Sequence, residues 1–122
     1  MQNFKDLKLW QKAHRIVLSI YQQTVSFPAQ EKFGLTNQIR RAAVSIPANI
    51  AEGSVRSSDA HFARFLHIAL GSASEVDYYL VLARDLRFWT AGTYQTLDAD
   101  LQEVKRMLAA LIARVKSAPA RA

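Results

Sequence analysis

The sequence predicts an all-α domain, an antiparallel up-down-up-down four-helix bundle, on three observations. Glycine and proline are scarce, four and three among 122 residues, so few positions break a helix. Between them, apolar residues recur at three- and four-residue intervals with no strand-like alternation. The periodic stretches number four and are joined by short turns, which leaves an antiparallel bundle as the economical way to bury every stripe. The length suits one domain with one modest core. Residues 1–116 are assigned to the bundle and residues 117–122, with Pro119, to a flexible C-terminal tail.

The first helix is expected over residues 5–25. Leu9, Ala13, Ile16, Val17, Ile20 and Tyr21 form its stripe, and Phe27-Pro28 forces an end because the residue before proline is pushed out of the helical region. The second opens after Gly34 and is expected to stop at Gly53, with Ile39, Ala43, Ile46 and Ile50 on one face. Pro47 interrupts it, removing a backbone donor and crowding the carbonyl of Ala43, so a kink is expected. The third starts at Ser57-Ser58-Asp59, any of which can cap it, and turns Phe62, Phe65, Leu66, Ala69, Ala73, Val76, Leu80 and Ala83 toward the core. Its small residues from 69 to 74, Gly71 among them, suit close approach to a neighbouring helix or subunit. The fourth is expected after Ala91-Gly92, capped by Thr93 or Thr96, with Leu97, Leu101, Val104, Leu108, Leu111 and Val115 in a near-heptad.

A polar stripe runs beside the apolar face of the second helix: Gln38, Arg41, Ser45, Asn49 and Glu52 recur at three, four, four and three residues. Folding helices two and three back on each other around Arg56 places Arg41 near Glu75. The expected contact is an Arg41–Glu75 ion pair, with Ser45 or Asn49 answering the carbonyl orphaned by Pro47. Two readings stand. The polar groups satisfy one another and set helix register, or Arg41, Asn49 and Glu52 face a groove and contact a ligand.

Little in the sequence supports catalysis. With no cysteine there is no thiolate nucleophile, zinc knuckle or disulfide. A di-metal centre in a bundle needs Glu-x-x-His spacings, but Glu52 and Glu75 are followed three residues later by Val55 and Tyr78. His14, His61 and His67 have no ligand-like neighbours and read as surface residues, with His14 and His67 placed where they can meet phosphate. No glycine-rich phosphate loop or nucleophile elbow is present. The chain is therefore read as no enzyme, with neither metal nor cofactor. The absence of an apolar run of membrane-spanning length and the charged first residues lead to a cytoplasmic expectation.

The formal charge is +6 and the pI about 10.0, which favours anionic partners. The surplus sits in the first half: residues 1–70 carry a balance of +5 and residues 71–122 only +1. Lys5, Lys8, Lys12 and Arg15 step by three, four and three, which draws a basic ridge along helix one on a face separate from its apolar stripe. Such a ridge, with Arg40, can meet several phosphates and bind with strong salt dependence, or it is a solvated face that keeps the protein soluble. Trp10, Tyr21 and Phe62 fall on or beside apolar stripes and read as core, so readout of backbone and shape is expected over readout of bases.

Several stretches then invite a comparison: Phe4-Lys5-Asp6-Leu7 with Trp10-Gln11-Lys12-Ala13, Phe27-Pro28 with Glu31 to Leu35, Gln38-Ile39-Arg40-Arg41-Ala42, and the block Ser45-Ile46-Pro47-Ala48-Asn49-Ile50-Ala51-Glu52-Gly53. Phe65-Leu66, Ile68-Ala69, Gly71-Ser72 and Glu75 continue it. Over residues 4–89 the chain resembles the four-helix-bundle proteins encoded in intervening sequences of bacterial 23S ribosomal RNA genes, while helix four matches only as an amphipathic segment. The resemblance implies assembly as a ring, a homopentamer, and no established catalytic activity. A similar protein, the accessory variability determinant of diversity-generating retroelements, is a basic pentameric bundle that binds nucleic acid and works with a reverse transcriptase. By that likeness the expected partners are further copies of the chain, RNA or DNA, and a protein such as a reverse transcriptase. A ring would repeat the basic ridge and multiply a weak patch by avidity. The functional expectation is a homo-oligomeric RNA- or nucleic-acid-binding bundle acting through Lys5, Lys8, Lys12, Arg15 and Arg40; the alternative is a protein-interaction scaffold.

Overall fold

A computed structural model describes residues 3–55 and 58–117. Four helices carry the fold: α1 (Lys8–Gln23), α2 (Leu35–Ser54), α3 (Asp59–Asp85) and α4 (Ala91–Lys116), with short 3-10 turns at Phe4–Asp6 and Ala29–Glu31 and no strand among the described residues. Helix α2 packs on α3 and α3 on α4, while α1 touches both α2 and α4. The core between them is aliphatic. Ile20, Ile39, Ile46, Ile50, Leu66, Leu80, Leu101 and Leu108 are fully buried, each worth about 1.5–3 kcal/mol of transfer free energy.

Each helix end has a local cause, and several differ from the sequence expectation. Helix α1 begins at Lys8, not Lys5, because Leu7 is extended (φ −75°, ψ 124°) and separates it from the Phe4–Asp6 turn, which Asn3 caps. At its far end, two residues short of 25, Thr24 tucks its hydroxyl onto the Ile20 carbonyl at 2.7 Å. Helix α2 lacks a capping side chain on Gly34; Glu31 supplies one instead, its Oε1 accepting from the Leu35 N–H at 3.0 Å. Ser58 caps α3 by accepting from the His61 N–H. Helix α4 starts at Ala91, ahead of the expected start after Gly92, and is capped by Thr90, which accepts from the Thr93 N–H, so neither Thr93 nor Thr96 is the cap.

Gly53 is not a terminator. It lies inside α2, and a Cβ there would sit 2.7 Å from Phe65 Cβ and 3.0 Å from Phe62 Cδ1; its missing side chain is what lets α3 approach. Gly71, expected to serve that purpose, faces open space, and Ala69 and Ala73 make the close contact instead. Helix α2 continues through the buried Pro47. The Ala43 carbonyl is not answered as expected. Asn49 donates to the carbonyl and hydroxyl of Ser45 at 2.8 and 2.9 Å, because a side chain four residues on lies over its own preceding turn.

The turn from α3 to α4 closes the bundle at one end. Arg87 takes a left-handed conformation (φ 62°), the Phe88 N–H reaches the Ala83 carbonyl and the Arg87 N–H that of Arg84, which is a Schellman stop with arginine at the position that favours glycine. Phe88 and Trp89 then meet Phe27 from the α1–α2 connection at 5.1 and 5.2 Å between ring centres. Along α4, Ile112 is buried while Leu111 and Val115 are only half-buried, since the 3.6-residue helix drifts away from a strict heptad. The assigned tail lies outside the described residues beyond Ser117, as does the Arg56 turn.

Candidate functional site

The outward side of α1 carries two rows of side chains. On the shoulder facing α4 stand Lys8, Lys12 and Arg15. Lys8 and Arg15 are exposed and form no hydrogen bond or ion pair among the described residues. Lys12 differs from the open cation expected of it. Its Nζ lies 2.8 Å from Glu103 Oε1 on α4. That hydrogen bond, then the Lys12 charge, holds the Glu103 carboxyl below the usual carboxylate range, with Arg106 and Arg15 adding to the effect. Lys12, Arg15, Ser19, Asp100 and Glu103 line one groove between the two helices.

Lys5 does not continue that row on the same helix. It belongs to the preceding 3-10 turn, where its Nζ lies 5.9 Å from the Phe4 ring centre. Arg40 is likewise engaged: its Nε donates to Thr24 Oγ1 at 2.8 Å, its Nη2 to the Tyr21 carbonyl at 3.3 Å, and its guanidinium lies 4.6 Å from the Tyr21 ring. The four cations of the expected ridge, with Arg40 beside them, thus resolve into two open ones, one paired across to α4, one over a ring and one tying α2 to α1.

On the other shoulder of α1 the reading of Tyr21 as core is overturned, whereas Trp10, like Phe62 on α3, packs against the core with part of its ring left outside it. Trp10 is half-buried and Tyr21 exposed. Trp10 stacks on the exposed His14 with ring centres 5.0 Å apart and planes within 8°, and Phe4 makes a T-shaped contact with Trp10, ring centres 5.0 Å apart and planes at 65°. The i, i+4 spacing of residues 10 and 14 was a signal for this pair, since such positions adjoin on a helix. Phe4 could not have been found that way, because only the break at Leu7 folds its turn back on Trp10.

The polar stripe of α2 forms the wall of a groove opposite α3. Gln38, Arg41, Ser45, Ser72, Glu75 and Tyr79 line it, so Arg41 and Glu75 share one groove, but the expected ion pair between them does not form. Glu75 Oε2 instead accepts from the Tyr79 hydroxyl at 2.8 Å, because residues four apart on one helix meet more readily than residues across a groove. This bond, with burial and the Glu75 charge behind it, pushes the Tyr79 phenol above its ordinary value. Arg41 stays exposed with no ion pair among the described residues. Ser45 Oγ and Ser72 Oγ bond at 2.8 Å across the α2–α3 contact. Asn49 completes that chain, and Glu52 lies exposed one turn further on.

No group of three or more His, Asp or Glu side chains among the described residues is arranged to hold a metal ion, and no helix there is long and apolar enough to cross a membrane. His61 and His67 are exposed on α3, far along the chain from the α1 rows.

Comparison with known proteins supplies the family. The model of the 23S rRNA-intervening sequence protein family matches residues 5–110. The chain belongs to that family. Among solved structures, it is similar to a protein of unknown function from the S23 ribosomal protein family of Bacteroides thetaiotaomicron, 29% identical, covering 86% of this chain and 95% of that one at a TM-score of 0.79. No curated protein matches it. Family membership thus agrees with the four helices and with the sequence resemblance, and covers α1 to α3 together with most of α4.

Proposed function

We propose that this family member works without catalysis, as a homo-oligomeric four-helix bundle that binds RNA or other nucleic acid through the outward side of α1. The observation that carries the reading is the pair of open cations, Lys8 and Arg15, on an exposed face of a chain with formal charge +6, with Lys5 beside them. A polyanion gains most where cations have no carboxylate of their own to release. Arg40 and Lys12 hold the helices that present the site and contribute field more than contact.

For the proposed up-down-up-down order, the antiparallel run of α2 and α3 is supported by paired contacts that step in opposite directions, Ser45 with Ser72 and Gly53 with Phe65. Assembly into a ring, a pentamer by likeness, is supported by exposed apolar side chains on α3, Ile68 and Tyr78, and by Leu86 just after its end. Those same side chains favour the second reading, a scaffold for a protein partner such as a reverse transcriptase.

Titration with a structured RNA at two salt concentrations tests the binding. The expected result is a constant that falls steeply with salt, with the log–log slope reduced by roughly 2 in a Lys8→Gln, Arg15→Gln variant. No binding at low salt, or binding indifferent to both changes, rejects the nucleic-acid reading in favour of the scaffold. Solution mass by light scattering tests the assembly, and Tyr78→Arg is expected to lower it.

A further inference from the structure

The two shoulders of α1 together resemble neither a plain basic patch nor a core face. With about 100° of turn per residue, Trp10, His14 and Tyr21 fall in one narrow sector, and Lys8 and Arg15 in another, with Gln11 and Leu18 between. The aromatic sector holds a cluster, Phe4 in T-shaped contact with Trp10 and Trp10 stacked on His14, and two turns further on Tyr21 with Arg40 over its ring. Lys5 sits over Phe4 at the start of the row. Tyr21 stands about 16 Å from Trp10 along the helix at 1.5 Å per residue and its ring is already faced by Arg40, so the ledge open to bases is the Trp10–His14 pair.

We propose that single-stranded nucleic acid lies along α1 with its bases on the Trp10–His14 ledge and its phosphates toward Lys8 and Arg15. The proposal rests on the nucleic-acid reading above and narrows its ligand. Ring faces reach only bases that have left a duplex, and every base has such a face, so the contact selects strandedness and not sequence. What favours a polyanion over a second copy of the chain is charge: Lys5 stands at the start of the ledge and Lys8 and Arg15 across Gln11 and Leu18 from it, and a chain of formal charge +6 brings its own cations to meet them, whereas phosphates complement them.

The test uses a fluorescein-labelled oligouridylate and a duplex RNA of the same length, followed by anisotropy. Wild-type protein should bind the single strand more tightly than the duplex. His14→Ala, a change at an exposed position that leaves the fold alone, should weaken single-strand binding about five- to tenfold without altering its salt slope, and should leave duplex binding unchanged. In a Trp89→Phe background, Trp10 emission should be quenched as oligouridylate is added. Equal affinity for both probes with no effect of His14→Ala overturns the stacking proposal and leaves the basic-surface reading standing. Failure of both probes to bind at low salt takes both down. Trp10 emission that follows protein concentration and ignores oligouridylate means a second copy covers the ledge, and overturns the proposal as well.

Discussion

The molecule has two tryptophans near opposite ends of α1, and they are held in opposite ways. Trp89 is 7% exposed, donates its indole N–H to the Gln23 carbonyl at 2.7 Å, and is wedged beside Phe27. Trp10 is half-buried, makes no hydrogen bond among the described residues, and spends one ring face on an exposed histidine. The first arrangement satisfies both the apolar body and the polar tip of the indole, so it closes the bundle. The second leaves part of the ring and its N–H to solvent, which adds less to the fold and keeps the surface usable.

The largest difference should appear on truncation. Trp89→Ala is expected to cost about 3–5 kcal/mol in urea unfolding, through a cavity and an orphaned carbonyl, whereas Trp10→Ala should cost about 1–2 kcal/mol for the smaller area it covers. Equal losses would break the contrast. Hydrogen exchange of the two indole protons, followed by NMR, sharpens it: Trp89 should be protected and Trp10 fast.

A control away from both ends lies on the α3–α4 seam, where Asp77 accepts from Lys105 at 2.9 Å and Gln102 at 3.1 Å. Burial raises the Asp77 carboxyl, but the two hydrogen bonds and the Lys105 charge outweigh it and hold the group below its ordinary value of 3.8. The folded state therefore takes up its proton less readily than the unfolded chain. The resulting stability is complete above pH 3.8 and fades as pH falls through the lower folded value. Asp77→Asn should lose about 1–2 kcal/mol near neutral pH, and the two proteins should converge in acid denaturation below that point. Both tryptophan environments should respond together, since this seam supports the whole bundle.

Smaller effects bracket the two ends. Arg87→Gly relieves a left-handed arginine just before Phe88 and Trp89, and should raise stability by about 0.5–1 kcal/mol. His14→Ala should leave thermal unfolding within about 0.5 kcal/mol of wild type, which would mark the Trp10 ledge as a surface the fold does not depend on.

How much of this was legible beforehand depends on the kind of contact. The aliphatic stripes of α1 and α2 were legible because helical period and burial are both local properties of spacing. The cap of α4 was missed because Thr90, Thr93 and Thr96 are equivalent as residues, and only the Arg87 turn decides which becomes extended. The Arg41–Glu75 pairing was right in placing both in one groove and wrong in contact, since Tyr79 competes for the carboxylate from four residues away. Lys12 could not be told from Lys8 by spacing. Both are cations on one side of a helix, and the carboxylate that separates them comes from residue 103.

The sequence by itself determined four helices, their aliphatic core and the cationic bias of the first half, because periodicity, hydrophobicity and charge are carried by residues within a few positions of one another. Tertiary structure alone decided which cations remain open and which aromatic rings face outward. Those outcomes depend on partners brought together from distant parts of the chain, Glu103 against Lys12, Thr24 against Arg40 and Phe4 against Trp10, and the strength of such contacts falls off within a few ångströms.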